Sequence, residues 1–255
     1  MFQFIFIEMN LDKLDNPAWH SLNETHRSFS IGNDEIKFYQ PSICRFGGIN
    51  PNQADLISFL TTHNELNSFF VIGEKPLPRS QRTLRRSPLR PWESPFGQAS
   101  SEFIIEKELV CIQMICSAPI EIKYTENIVH LNKTYEKELF NLVNLVQPGY
   151  FEEGTSLMGD YFGIFKEDKL VAVTGERMKM FDFTEISAVV SHPGFTGKGF
   201  AKQLVANTAN KNFEKGFIPY LHVAETNTNA IKLYEKLGFI TRRKISFWKM
   251  KRIDR

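Results

Sequence analysis

Polar and apolar positions in the second half of the chain fall into blocks whose period switches between two and about three and a half. Residues 186–191 are apolar and β-branched enough for a buried strand. His192-Pro193-Gly194 breaks that strand, since proline donates nothing to a ladder and glycine permits positive φ. Gly197, Lys198 and Gly199 lead into residues 200–205, which have helical spacing. A second strand is expected from Leu221 to Glu225. A helix capped by Asn227 should follow it and end at Gly238. Residues 120–124 alternate as a half-buried strand. Residues 134–146 read as an amphipathic helix with Leu139, Leu142, Val143 and Val146 on one face, capped by Asn132 or Thr134. A hairpin is expected over 161–174, turning at Lys166-Glu167-Asp168. Pro219 should enter its strand at an edge, and residues 245–250 should close the sheet.

The first half is less regular. A short helix is expected over 16–22 and strands at 38–39, 44–46 and 69–72. A helix capped by Asn52 should span 52–60, and further strand lies at 103–104 and 109–116. Helix, then strand, then strand is a reduced echo of the second half. Between them, residues 75–91 carry five arginines and several prolines and read as an exposed loop.

Composition narrows the field. With 255 residues the chain can bury a full core, as one large domain or two ordinary ones. A net charge of +2 points neither to nucleic acid nor to a membrane surface, and binding of nucleic acid through the arginine loop is the lesser reading. Cys44, Cys111 and Cys116 have no metal spacing and leave an odd thiol, which suits a reducing cytoplasm. On one strand Cys111 and Cys116 would face opposite sides, so both read as core. Residues 1–8 lack a basic head and a long apolar run, unlike a signal peptide. No stretch reaches the roughly 20 apolar residues of a membrane span.

A strand feeding a helix through glycines leaves the first helical N–H groups free, at the positive end of the helix dipole, where an anion such as a pyrophosphate can bind. Two familiar versions fail: a dinucleotide fold needs a glycine where Lys202 stands, and a nucleotide-hydrolase loop needs Ser or Thr where Gly199 follows Lys198. With its downstream segment, however, the stretch resembles the GCN5-related N-acetyltransferase (GNAT) superfamily, in its FR47-like branch. That family's core motif, Gln/Arg-x-x-Gly-x-Gly/Ala, corresponds to Thr196-Gly197-Lys198-Gly199-Phe200-Ala201, with Thr196 in place of Arg or Gln. The next motif, Asn-x-x-Ala-x-x-Leu-Tyr-x-x-x-Gly-Phe, is met by Asn227, Ala230, Leu233, Tyr234, Gly238 and Phe239.

The resemblance implies a fold of the α/β (α+β) type: a mixed, mostly antiparallel central sheet flanked by helices. Two tandem halves are expected, residues 1–118 a degenerate copy and 119–255 catalytic. It implies an acetyl-CoA-dependent N-acetyltransferase that passes acetyl directly to an amine, with acetyl-CoA as cosubstrate and no metal. The acceptor is a small-molecule or peptide amine. Oligomeric state cannot be read. The alternative is an acyl-CoA-binding regulatory module without turnover.

Backbone N–H groups of Gly197, Lys198, Gly199, Phe200 and Ala201 are the expected pyrophosphate ligands. Val189 and Val190 are carried over as the strand edge that meets the pantetheine arm, and Asn227 as a coenzyme contact. Tyr234 is the expected general acid, a phenol able to protonate the leaving thiolate. Glu185 is the expected base, with His222 and Glu225 as rivals on the neighbouring strand. The loop over 150–158, with Glu152 and Glu153, should border the acceptor.

Overall fold

The computed structural model describes residues 10–50, 56–73 and 103–253. The expected Asn52 cap, the arginine-rich loop and residues 1–8 lie outside them. The first half contains α1 (Pro17–Asn23), β1 (Ser30–Gly32), β2 (Ile36–Tyr39), β3 (Phe46–Ile49), α2 (Leu56–Thr61) and β4 (Ser68–Gly73). A 14-residue strand, β5 (Phe103–Cys116), follows. The second half contains β6 (Ile128–His130), α3 (Glu136–Val146), β7 (Tyr161–Lys166), β8 (Lys169–Lys179) and β9 (Phe183–Ser191). It continues with α4 (Phe200–Glu214), β10 (Ile218–Ala224), α5 (Thr228–Lys236) and β11 (Phe239–Arg252).

These strands make one sheet, in the order β1-β2-β3-β4-β11-β5-β10-β9-β8-β7-β6. Two of its described pairings are parallel, β3 with β4 and β9 with β10, and the others are antiparallel. The expected α/β fold with a mostly antiparallel sheet is therefore present. β11 does not close the sheet at an edge. It lies in the middle, paired with β4 of the first half and with β5. β5 in turn pairs with β10, so the expected division at residue 118 falls just after a strand held by two strands of the second half. Its alternation sends Cys111 into one core and Cys116 into another, on opposite faces as expected.

Residues 120–124 are not a strand. Helix α4 claims their backbone instead. Asn210 accepts from the Ile120 N–H at 2.7 Å and donates to its carbonyl at 2.9 Å. Gln203 Oε1 accepts from the N–H groups of Thr125 and Glu126 at 2.7 and 3.0 Å. Side-chain amides on a helix thus hold the two ends of the segment, at Ile120 and at Thr125–Glu126, where a sheet ladder was expected. Helix α3 starts two residues late, after a 3-10 turn over Lys133–Tyr135 whose cap is Asn132. Its Leu139, Leu142 and Val143 are buried, but Val146 is 36% exposed. The β7–β8 hairpin turns on Glu167 and Asp168, both at positive φ, the two-residue form that matches strand twist.

Candidate active site

The parallel pair β9 and β10 is joined only from Ile218↔Phe183 to Leu221↔Ile186. Beyond that point β9 runs on to Ser191 and β10 to Ala224 without pairing to each other. The sheet splits there. A bulge helps: the β8–β9 register slips between Val173 and Gly175, and Ala188 takes φ 49°, a left-handed conformation that costs a non-glycine residue about 1 kcal/mol or more. A cavity of 420 Å³ occupies the split. On one side it meets Ala201 of α4 and Asn227, Ala230, Leu233 and Tyr234 of α5. On the other it meets Arg177, Cys111, Phe46, Phe247 and Tyr150.

The glycine turn stands at the end of β9. Gly197 and Gly199 have φ of 74° and 75°, and a Cβ on either would meet nothing within 4 Å. Conformation, not crowding, calls for glycine here. None of the N–H groups of Gly197, Lys198 or Gly199 donates to the described backbone, and the first N–H groups of α4 have no intrahelical acceptor. Phe200 is buried against Leu204, Ile164 and Val171, which anchors the helix so that its start faces open space. Lys198 is exposed, its ammonium 4.8 Å from the Phe195 ring.

Val189 lines the cavity. Val190 lies on the same unpaired stretch but is buried beneath α3 with Leu142 and Val173, so its side chain does not reach the cavity. Asn227 both caps α5, accepting from Ala230 N–H at 3.2 Å, and lines the cavity. The Tyr234 hydroxyl makes no hydrogen bond among the described residues, and burial pushes its pKa up to about 12. Its proton is committed to nothing else.

Glu185 requires a correction. It is 1% exposed and does not line the cavity. Arg177 holds it in a fork, Nε donating to Oε2 at 2.8 Å and Nη2 to Oε1 at 2.7 Å. Burial alone would raise its pKa, but the Arg177 guanidinium, with a further hydrogen bond from His222, outweighs burial and holds it at about 2. A carboxylate so stabilised does not accept a proton near neutrality. His222 is also committed. Arg242 Nη1 donates to Gln113 Oε1 at 2.9 Å, which turns the Gln113 amide nitrogen toward the Leu14 carbonyl, 2.7 Å away, and toward His222 Nε2, 3.0 Å away. A guanidinium only donates, so Gln113 can stand only this way round. His222 Nε2 is then an acceptor, and its Nδ1–H donates to Glu185 Oε1 at 2.8 Å. Glu225 is paired with Lys244 at the surface and is not among the cavity's lining residues.

Glu152 and Glu153 do not line the cavity either. Glu152 pairs with Arg45 and Glu153 is exposed, whereas Tyr150, Phe151 and Thr155 of the same loop do line it. Sequence reasoning passed over Arg177 and Phe46. Arg177 had a signal: an arginine inside an apolar strand must find a buried anion. Phe46 had none, because nothing local says that β3 of the first half reaches the second.

Residues 161–248 match the family model described as FR47-like protein. A structure from Novosphingobium aromaticivorans assigned to the GNAT family shares 23% identity, with 94% of this chain and 99% of that chain covered and a TM-score of 0.78. This chain carries an FR47-like domain on the GNAT fold. A GCN5-related N-acetyltransferase-like protein from Streptococcus suis superposes with a TM-score of 0.56 at 13% identity, covering 91% of this chain and 92% of that one. A GCN5-related N-acetyltransferase from Kribbella flavida gives 0.57 at 11%, covering 92% and 94%. No curated protein matches. The FR47-like match spans β7 to most of β11 and so includes the split, the glycine turn and Tyr234, while the GNAT likeness extends over both halves. Among the described residues, no cluster of three or more His, Cys, Asp or Glu could hold a metal ion, and no helix is long and apolar enough to cross a membrane.

Proposed function

We propose that the chain is an acetyl-CoA-dependent N-acetyltransferase. The observation that carries this reading is the pairing of unsatisfied amides at Gly197–Ala201 with an open strand edge and a cavity immediately beside it. The amides would take the pyrophosphate of coenzyme A, and Asn227 and Val189 would flank the pantetheine arm in the split. An acceptor amine then attacks the thioester carbonyl carbon. The N–C bond forms, the C–S bond breaks, and the electron pair leaves with sulfur. An unpaired N–H on the β9 edge offers a donor for the carbonyl oxygen as it gains charge. Tyr234 donates a hydrogen bond to the sulfur as negative charge builds there; a phenol pushed up to about 12 keeps its own proton, and solvent protonates the departed thiolate.

Deprotonation of the amine falls to solvent, because Glu185 and His222 are both engaged. Glu185 is a positioning residue: it holds Arg177 and the His222 tautomer. The first half is a scaffold and supplies Phe46 to the cavity wall. The same absence of a free base favours a second reading, a coenzyme-binding module without turnover. Thr196 adds to it, for its hydroxyl bonds back to the Pro193 carbonyl at 3.3 Å where the family carries a longer polar side chain.

Thiol release from acetyl-CoA, screened against an amine library, separates the two. Turnover that falls sharply in Tyr234→Phe, with coenzyme affinity kept, supports the enzyme. Tight coenzyme binding with no thiol release above hydrolysis supports the module.

A further inference from the structure

The acceptor end of the cavity has an unusual charge balance for an enzyme that handles amines. Among its described lining residues the only permanently charged side chain is Arg177, and no Asp or Glu is present. Arg177 spends Nε and Nη2 on Glu185, and its Nη1 has no hydrogen-bond partner among the described residues yet is not sealed from solvent. The guanidinium lies over the Phe46 ring, with Cζ 4.5 Å from the centroid. Phe46 stacks on Phe70 at 5.1 Å and meets Phe247 edge-on at 5.6 Å, and Phe70 stacks on Tyr150 at 5.4 Å. A fixed cationic donor therefore projects from an aromatic wall.

A polycationic acceptor is poorly served there, because each extra ammonium would be desolvated with no carboxylate to meet it. An anionic group on the acceptor is well served: Nη1 offers N–H donors to a carboxylate oxygen, and a charge-assisted bond of this kind is among the stronger ones. The aromatic wall suits an apolar side chain.

We infer that the acceptor is an α-amino acid with a large apolar side chain, its carboxylate bound by Arg177 and its side chain packed among Phe46, Phe247 and Tyr150. This rests on the acetyl-transfer reading and names its acceptor. The product is the N-acetyl amino acid, with free coenzyme A taking the proton on sulfur.

The test is a matched set of acceptors with wild-type protein: L-phenylalanine, L-phenylalaninamide, 2-phenylethylamine, spermidine and kanamycin, with rates corrected to the free-base fraction of each amine. L-Phenylalanine should exceed 2-phenylethylamine by about tenfold to a hundredfold in kcat/KM. The amide should fall between them, and the two polycations should be inactive. Calorimetry on the coenzyme A complex gives a readout that needs no turnover: N-acetyl-L-phenylalanine should bind at least tenfold tighter than N-acetyl-2-phenylethylamine. Removing both charges together in the double variant R177M/E185Q avoids stranding a buried carboxylate, and in it the ratio between the matched acceptors should collapse to about one. Equal handling with and without the carboxylate, in turnover or, where nothing turns over, in product binding, overturns the inference while coenzyme binding still stands. So does preference for spermidine or kanamycin. Failure of coenzyme A to bind at all removes the acetyl-transfer reading and this inference with it.

Discussion

Each half of the sheet contains one parallel strand pair, and glycines sit beside both. At β3–β4 the glycines are Gly47 and Gly48. A Cβ on Gly47 would stand 2.2 Å from the Phe38 ring, and one on Gly48 would stand 2.2 Å from the Trp19 backbone nitrogen. These glycines exist because the structure is full. At β9–β10 they are Gly197 and Gly199, both at positive φ and both facing nothing within 4 Å. These exist because the chain must turn and leave its amides uncovered. The first pair has let helix α1 and a phenylalanine close over the strands. The second has left a gap. Glycine content is the same signal in both places, and only backbone angle and surrounding space tell a packing glycine from one that presents N–H groups.

The second glycine pair is where a single methyl should matter most for binding. Gly199→Ala should weaken coenzyme A by about a hundredfold, equivalent to about 2.7 kcal/mol, while costing only about 1 kcal/mol of stability for the positive φ. Isothermal titration beside a denaturant melt reads both. Gly48→Ala should do the reverse, losing about 1–3 kcal/mol or more of stability because Trp19 backbone must move, with coenzyme affinity within about threefold of wild type wherever the protein is folded. If both variants lose affinity equally, the two glycine pairs are not doing different work.

Within the open half, Tyr234→Phe should lower kcat by about tenfold to a hundredfold with little change in coenzyme affinity, as measured by thiol release. The pH profile sharpens the role of the buried pair next to it. With no protein base, kcat/KM should rise about tenfold per pH unit up to the pKa of the acceptor's own ammonium, and the break should move when the acceptor is changed. A fixed break common to all acceptors would mean that a protein group takes the proton.

The last expected effect is on acid stability, not on binding or turnover. His26 sits between Ser21, Tyr39 and the Met158 carbonyl, tying the first half to the loop beside the cavity. Burial lowers its pKa from 6.5 to about 4. The unfolded chain therefore binds a proton first. The stability His26 confers is complete above pH 6.5 and is lost as pH falls toward 4, with a slope of at most about 1.4 kcal/mol per unit. Glu185, lowered from 4.5 to about 2, contributes the same sign in the next window down, with stability lost between pH 4.5 and 2. Urea melts of His26→Phe between pH 7 and 4 should show a flatter slope than wild type.

The local pattern was enough for the elements around the cavity. The strand at 186–191, the glycine turn, the Asn227 cap and the Gly238 stop all stand where periodicity and turn chemistry put them. The role of Glu185 was not legible, because its partner Arg177 is set by the β8–β9 register and a bulge, which no local pattern records. The mistaken strand at 120–124 has the same origin: alternation says that one face is buried, not whether a ladder or two helix amides will hold the backbone. The central place of β11 was equally hidden, since its neighbours β4 and β5 lie more than 100 residues away in the first half of the chain.

Amide hydrogen exchange with and without coenzyme A asks whether the uncovered amides of the glycine turn hold the pyrophosphate. Saturating ligand should slow exchange at Gly197 through Ala201 by about tenfold or more, with weaker protection along Val189 and at Asn227. Saturated protein in which that turn exchanges as fast as in the free form, or in which protection gathers elsewhere, would contradict that role.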